Sequence, residues 1–243
     1  MKRNLTIIAL VFFSFGHLVA QTFSLTGTNP TYTQNFNTLP TATGTSWVNN
    51  STIPNWYANI SGNILVGSGS GTSLGLYSYG AASNTERALG SLAGNSTPLI
   101  EFGVGFTNNS STTITSFVIT YKGEQWRNGG NANTHKLAFF YKIGASTLDE
   151  TGYEAVSLID FNSPIATATA SALDGNASVN SATLTHNCTV NIPVGSTVFF
   201  KWQDVNESGG DHGMGVDDLS VTFNNQVLPV ELVSFSAKIR VKM

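Results

Sequence analysis

Hydrophobic and polar residues alternate with period two over much of the chain. In Ser116-Phe-Val-Ile-Thr-Tyr-Lys122, Phe117, Ile119 and Tyr121 fall on one side, Val118 and Thr120 on the other. Leu137 to Ile143, Ala182 to Ile192, Thr197 to Trp202 and Leu219 to Phe223 follow the same logic. Leu99 to Phe106 does so with glycines that mark bulges or close approach. Period two places successive side chains on opposite faces of a strand. Turn signals lie between these runs: Asn108-Asn109, Asn128-Gly129-Gly130 and Asp174-Gly175. Ser83 to Leu92 reads as one turn or a short strand. No helical stretch stands out beyond the first twenty residues. Many short strands with regular turns predict an all-β chain, a two-sheet antiparallel β-sandwich of jelly-roll type.

The ends read differently from the body. Lys2 and Arg3 followed by the apolar run Leu5 to Phe15, with Ala20 before a cut, have the form of a secretory signal peptide. The apolar run is too short to span a bilayer comfortably, which argues against an uncleaved anchor. The expected division is a signal peptide over 1–20, a sandwich domain over 21–225, and a linker or truncated start of a following module over 226–243. The expected location is outside the cell or on its surface, with no membrane insertion after cleavage. Roughly 220 residues then remain, an ordinary length for one large sandwich.

Composition supports an extracellular β-protein. Only 10% of residues are charged, while 41% are hydrophobic and 15 are Phe; globular chains usually carry ~25% charged residues. Without Lys2 and Arg3, nine basic residues face 14 acidic ones, a net charge of −5. That field repels phosphate and excludes a nucleic-acid partner. Cys188 is the only cysteine, so no internal disulfide is available. Its place in a strand-like run predicts a buried, inert thiol.

Candidate chemistry gathers in two regions. Five of the 14 acidic residues (Asp204, Glu207, Asp211, Asp217, Asp218) lie in one glycine-rich stretch. Hard oxygen ligands on a loop between strands suit a structural calcium ion, with Asp204, Asp211, Asp217 and Asp218 as candidate ligands. A solvated acidic loop with one hydrogen-bonded Asp is the other reading. Strict alternation places Asp217 on the side of Leu219 and Val221, and Asp218 on the side of Ser220. A carboxylate on the apolar side needs an ion or a partner such as Arg127 or Arg87. Glu86-Arg87 and Glu124-Gln-Trp-Arg127 are the second region. One reading is a polar binding patch, with Trp126 as a stacking platform and Glu86, Arg87, Glu124 and Arg127 bonding hydroxyls. The other is a pair of cross-strand salt bridges that fix register.

Catalytic patterns are scarce. Glu86, Glu101 and Glu124 supply carboxyls for a glycosidase pair, but no E-x-D-x-x-E arrangement occurs. Asp211-His212 lacks a G-x-S-x-G elbow. His135 and His186 stand alone in the sequence, so zinc ligands at useful spacing are missing. Trp47, Trp56, Trp126 and Trp202 read as core or edge residues, with one or two exposed.

Two resemblances add to this reading. Leu228-Pro-Val-Glu-Leu-Val-Ser-Phe-Ser-Ala237 resembles the opening of the C-terminal region of secreted Bacteroidetes proteins, which leads to a type IX secretion sorting domain. The likeness covers about ten residues. Here Lys238-Ile-Arg-Val-Lys-Met243 follows at once, so the expectation is either a truncated member or a chain released after the general export step. The body resembles an extracellular β-sandwich module of large secreted bacterial proteins. The carrying residues are Gln34 to Pro40, Asn50 to Tyr57, Ser83 to Gly90, Gly123 to Arg127 and Asp211 to Val221. It is also distantly similar to concanavalin-like and MAM-type jelly rolls. That resemblance implies that a first strand around Phe36 pairs beside the last strand. The expected function is a secreted, non-catalytic module binding an extracellular polysaccharide or cell-surface glycan. The alternatives are a structural adhesin or matrix spacer, and a polysaccharide-degrading enzyme.

Overall fold

The alternating runs resolve into two facing sheets. The computed structural model describes residues 20–225; the expected signal peptide up to residue 19 and the tail over 226–243 lie outside them. Seventeen strands are numbered along the chain. A seven-stranded sheet holds β1 (Phe23–Leu25), β4 (Trp56–Ala58), β9 (Leu99–Asn108), β11 (Lys136–Ile143), β12 (Glu154–Ala155), β13 (Phe161–Asn162) and β16 (Thr197–Val205). An eight-stranded sheet holds β2 (Thr31–Gln34), β6 (Leu65–Gly67), β7 (Gly75–Tyr79), β8 (Ala88–Leu92), β10 (Ile114–Asn128), β14 (Ser171–Ala172), β15 (Ser181–Ile192) and β17 (Gly213–Asn224). A small ribbon joins β3 (Ser46–Trp47) to β5 (Gly62–Asn63). Among the described residues the one helical turn is a 3-10 turn, Ser157–Ile159, and no helix is long and apolar enough to cross a membrane.

The all-β, two-sheet sandwich is as the alternation predicts. Pairing is antiparallel throughout except β1 on β9 and β6 on β7, which run parallel. The turn signals fall at strand ends: β9 stops at Asn108 and β10 at Asn128. Ser83 to Leu92 yields the strand β8. The strand beside the last one is the second, β2 at Thr31–Gln34, rather than a first strand around Phe36; β1 pairs with β9 in the other sheet. Phe36 itself sits beyond the strand at φ 55°, turned into the core.

The core between the sheets is aromatic. Phe117, Ile119 and Tyr121 of β10 face Phe102, Val104 and Phe106 of β9 and Val198, Phe200 and Trp202 of β16. Trp202 stacks on Trp56 at 5.8 Å and meets Tyr121 edge-on at 5.4 Å. The indole of Trp56 donates to the Tyr32 hydroxyl at 2.7 Å, satisfying a donor that would be costly to bury alone. Each such ring contributes ~1.5–3 kcal/mol by leaving water. This burial stands in for the missing disulfide, since Cys188 is buried and unpaired. Desolvation pushes its thiol up to about 11, consistent with an inert side chain.

β17 departs from simple alternation, and this corrects the reading of its two acids. Thr120 pairs with Ser220 and Lys122 with Asp217, so β17 spends one residue more than β10 across this step. Asp218 adopts φ 48° at that point, the signature of a β-bulge. Met214 and Val216 before it, and Leu219, Val221 and Phe223 after it, all face the core. Asp217 therefore does not share the face of Leu219.

Trp202→Ala is expected to cost about 3–5 kcal/mol in urea unfolding. Val205→Ala, on an exposed side chain at the end of the same strand, should stay within ~0.5 kcal/mol.

Candidate functional site

The outer face of the eight-stranded sheet carries a second aromatic group. Tyr77 and Tyr79 of β7 stack at 4.5 Å, and Trp126 of β10 lies parallel to Tyr79 at 6.0 Å. Trp126 is only 1% exposed. The stacking platform expected of it is therefore closed. Two glycines cover it: a Cβ on Gly175 would meet its Nε1 at 2.4 Å, and one on Gly69 would meet its carbonyl oxygen at 1.7 Å. Arg127 holds the covering loop, donating from Nη1 to the carbonyls of Gly69 and Ser70 at 3.2 and 3.4 Å. Its Nη1 is taken by these bonds, and the residue also lines a second hollow of about 460 Å³ with Thr72, Gly129 and Asp211.

Glu124 is fully buried beside this ladder. Its Oε2 accepts from the Trp126 indole at 3.0 Å, and Lys122 Nζ lies 2.6 Å from Oε1. Burial raises its pKa in spite of both contacts. Lys122 is pulled down by burial, but the bond and charge of Glu124, with Asp217 and Glu86, leave it raised. The expected register-fixing pairs do not form: Glu124 takes Lys122 rather than Arg127, and Glu86 takes no cation. Arg87 is buried, and neither Nε nor Nη1 has a hydrogen-bond partner. Desolvation lowers its pKa. Asp217 meets neither arginine. It turns to Glu86 and Glu124, and one oxygen of each of the three lies within 4.8 Å of the others.

The four aspartates expected to share an ion are dispersed. Asp204 accepts from Ser91 Oγ at 2.8 Å and from the Ala93 amide at 3.1 Å, tying β16 of one sheet to β8 of the other. Asp211 accepts from the Glu207 amide at 2.9 Å and lies 3.7 Å from His135 Nδ1. Asp218 is exposed on the bulge, and Asp217 lies on the outer face. The bulge and the burial of Asp204 separate residues that are close in sequence.

His135, isolated in sequence, is brought onto His212 with ring centres 4.3 Å apart. Its Nδ1 lies 2.8 Å from Glu207 Oε2, and Asn131 Nδ2 lies 2.9 Å from its Nε2. His212 Nδ1 accepts from the Gly129 amide and its Nε2 meets the Asn133 carbonyl. The His212 amide also approaches His135 Nδ1 at 3.4 Å, so each ring nitrogen has a polar neighbour, and Nε2 of His212 donates to the Asn133 carbonyl. This is a closed network fixing the acidic loop against the Gly129 turn. Burial lowers the pKa of both histidines. Their contribution is present above the unfolded value near 6.5 and is lost as pH falls through the folded values.

A broad hollow lies elsewhere, at the seven-stranded sheet. It encloses about 810 Å³ among Gln21, Asn49, Asn50, Tyr57, Asn59, Thr147 and Asp149. Its carboxamides are fixed. Asn49 Oδ1 accepts from the Ala58 amide at 2.8 Å, Asn59 Oδ1 from the Glu101 amide at 2.8 Å, and Asn50 donates to Gln21 Oε1 at 2.7 Å. Tyr57 donates to the Gln21 carbonyl, and its ring packs near Phe199 with part of it left exposed. Beneath, Lys201 and Glu101 form a buried pair at 2.6 Å, and the Lys201 ammonium sits 4.1 Å from the Tyr153 ring centre. No charged motif marks this wall in the sequence, because its residues come from three distant segments and carry little charge. The doublet Asn49-Asn50 was its one visible signal.

Fold and cavity together define a two-sheet β-sandwich module with a polar, carboxamide-walled hollow. No family model matches the sequence, and no curated protein matches it. Among solved structures it is similar to the CBM22-1 xylan-binding domain from Paenibacillus barcinonensis Xyn10C, at TM-score 0.40 and 7% identity over 82% of this chain and 98% of that one. It is also similar to a xylan-binding domain from CBM 22, at TM-score 0.37 and 9% identity over 73% and 92%. A family 35 carbohydrate binding module from Clostridium thermocellum follows at TM-score 0.26 and 16% identity over 60% and 85%. At these scores the likeness carries no argument about ligand or site.

Burial pushes the Asp204 carboxyl up to about 7 against the two bonds it accepts. A raised folded pKa contributes stability in full below the unfolded value near 3.9, and the contribution is lost as pH rises through about 7. Asp204→Asn does not titrate, and its carbonyl can accept the same two bonds. The variant is expected to gain on the wild type by on the order of 2–4 kcal/mol between pH ~4 and ~8. Urea unfolding at both pH values checks this, and a pH-independent difference would contradict it.

Proposed function

We propose that the chain is a secreted, non-catalytic module that binds a polysaccharide or cell-surface glycan in the Tyr57 cavity. The cavity itself carries the reading. Its size suits one or two sugar rings and falls in the ordinary range of ligand sites. Asn49, Asn50 and Asn59 each bond through both oxygen and nitrogen, and each keeps one amide hydrogen to offer a hydroxyl. Asp149, exposed at the cavity wall, adds a strong acceptor, and the partly exposed Tyr57 ring offers a face for sugar C–H groups. The wall amides are held by backbone bonds, so ordering them on binding costs little.

The non-catalytic reading rests on the state of the available carboxyls. Glu101 is occupied by Lys201 and Gln203. Glu124 is sealed under Trp126. Secretion rests on the sequence of the first twenty residues, and export by a type IX route on Leu228 to Ala237.

The test is a glycan-array and insoluble-polysaccharide screen of the full chain, followed by Tyr57→Ala on any hit. Loss of a stacking contact of ~1–1.5 kcal/mol should weaken binding about tenfold. Asp149→Ala should weaken it as well, with the melting temperature unchanged. Retention on no glycan would sink the reading and leave the matrix spacer. A hit that survives Tyr57→Ala would place binding outside the cavity.

A further inference from the structure

We propose that Glu86, Glu124 and Asp217 hold a calcium ion against the outer face of the eight-stranded sheet. The three carboxylates come from the segment before β8, from β10 and from β17, and one oxygen of each lies within 4.8 Å of the others. Asp217 is 4% exposed, and its Oδ1 receives no hydrogen bond. Glu86 Oε1 is likewise out of water and without a donor. An unpaired buried carboxylate oxygen aimed at two other carboxylates is a costly arrangement unless a cation completes it.

The resident cations do not complete it. Lys122 brings one ammonium to three carboxylates and reaches only Glu124, at 2.6 Å. Arg87 lies next to Glu86 in sequence, but no salt bridge joins its guanidinium to the cluster, and Asp218 adds a further negative charge beside Asp217. Lys122 is partly exposed and can withdraw its ammonium to solvent. Its other partner, Asn176 Oδ1 at 3.1 Å, would then be free as a fourth oxygen ligand. Asn176 already donates to Glu86 Oε2, so it sits at the rim of the same cluster. An all-oxygen set of carboxylates and a carboxamide, completed by water, is the chemistry that calcium takes in irregular six- to eight-fold geometry. The His135, Glu207 and Asp211 group differs because its unbonded carboxylate oxygen, Glu207 Oε2, faces a ring nitrogen, His135 Nδ1, at 2.8 Å. Bound calcium would tie β8, β10, β17 and the Asn176 loop together in a fold without a disulfide.

Terbium luminescence on the full chain is a direct probe. Trp126 bonds to Glu124 and so lies close enough to sensitise a lanthanide in the cluster. We expect tryptophan-excited terbium emission that calcium displaces. In thermal melting, calcium at a hundredfold excess over its Kd should raise Tm by about 5–10 °C relative to chelator. Asp217→Asn removes a repulsion and should melt no lower than wild type in chelator, yet lose both signals. Asp218→Asn, on the exposed side of the bulge, should keep them. The proposal is overturned if wild type melts alike in calcium and chelator, which would mean that Lys122 and a proton shared by Asp217 and Glu86 neutralise the cluster. It is overturned equally if Asp217→Asn keeps the response while Asp211→Asn loses it. Glycan retention is read at the opposite sheet, so either proposal can fail without the other.

Discussion

The pairing of β17 with β10, and the bulge at Asp217-Asp218 within it, is the constraint on which the other features depend. β17 bonds to β10 along one edge and to β8 and then β2 along the other. It is therefore the strand through which the segment near the described N-terminus, the Trp126 region and the acidic loop are held in register. An unbroken period of two would send either Met214 and Val216 or Leu219, Val221 and Phe223 to the outer face. One extra residue at Asp217-Asp218 keeps both groups in the core. The cost is a non-glycine residue at φ 48°, of order 1 kcal/mol. Burial of the apolar side chains on both sides offsets that several times over. The same extra residue turns Asp217 toward Glu86 and Glu124.

Which features were legible in the sequence follows from this. The long strands were, because a strand between a core and a second layer still alternates. Phe117, Ile119 and Tyr121 announce their shared face, and Asn108 and Asn128 announce where the pairing stops. The bulge was not legible, since V-D-D-L-S-V reads equally well as unbroken alternation. Trp126 misled for a related reason. Lys122, Glu124 and Trp126 share the non-core face of β10, which reads as the solvent side. The chain instead lays the loops bearing Gly69 and Gly175 over that face, and a glycine reveals a close approach only once its neighbour is known. The carboxylate cluster and the Tyr57 cavity were hidden because their members meet only through long-range topology. His135 and His212 illustrate the same limit, being remote in sequence and stacked in space.

The scarcity of charge gives each buried charge a structural consequence. Lys201 with Glu101, Lys136 with Asp160, and Lys122 with Glu124 all place at least one member out of water. Such pairs add little net stability over apolar replacements, but leaving one partner alone is strongly destabilising. Asp204 follows another route: it keeps a proton into the neutral range and bonds across the sandwich. His135 and His212 are biased toward the neutral form by burial. Asp217 and Glu86 stand apart, because neither a salt bridge nor a donor accounts for their buried oxygens.

The two outer faces differ in how they are finished. The seven-stranded sheet ends in a hollow whose amides are already fixed by backbone bonds, which suits a weak, neutral, hydroxyl-bearing ligand. The eight-stranded sheet ends in aromatic rings sealed by loops, with uncompensated negative charge at the margin. Between them lies a core of interlocked rings, such as Phe117 on Phe200 at 4.6 Å and Phe106 on Phe223 at 5.1 Å, together with the Asp204 link. Close-packed cores of this kind resist graded deformation, and coupling between distant sites requires an element with two discrete arrangements. Nothing in the packing around Trp202 or in the Asp204 bonds supplies a second arrangement. A cation at Asp217 would therefore act on the cavity through the stability of the whole sandwich, raising the folded fraction rather than the affinity of the folded state.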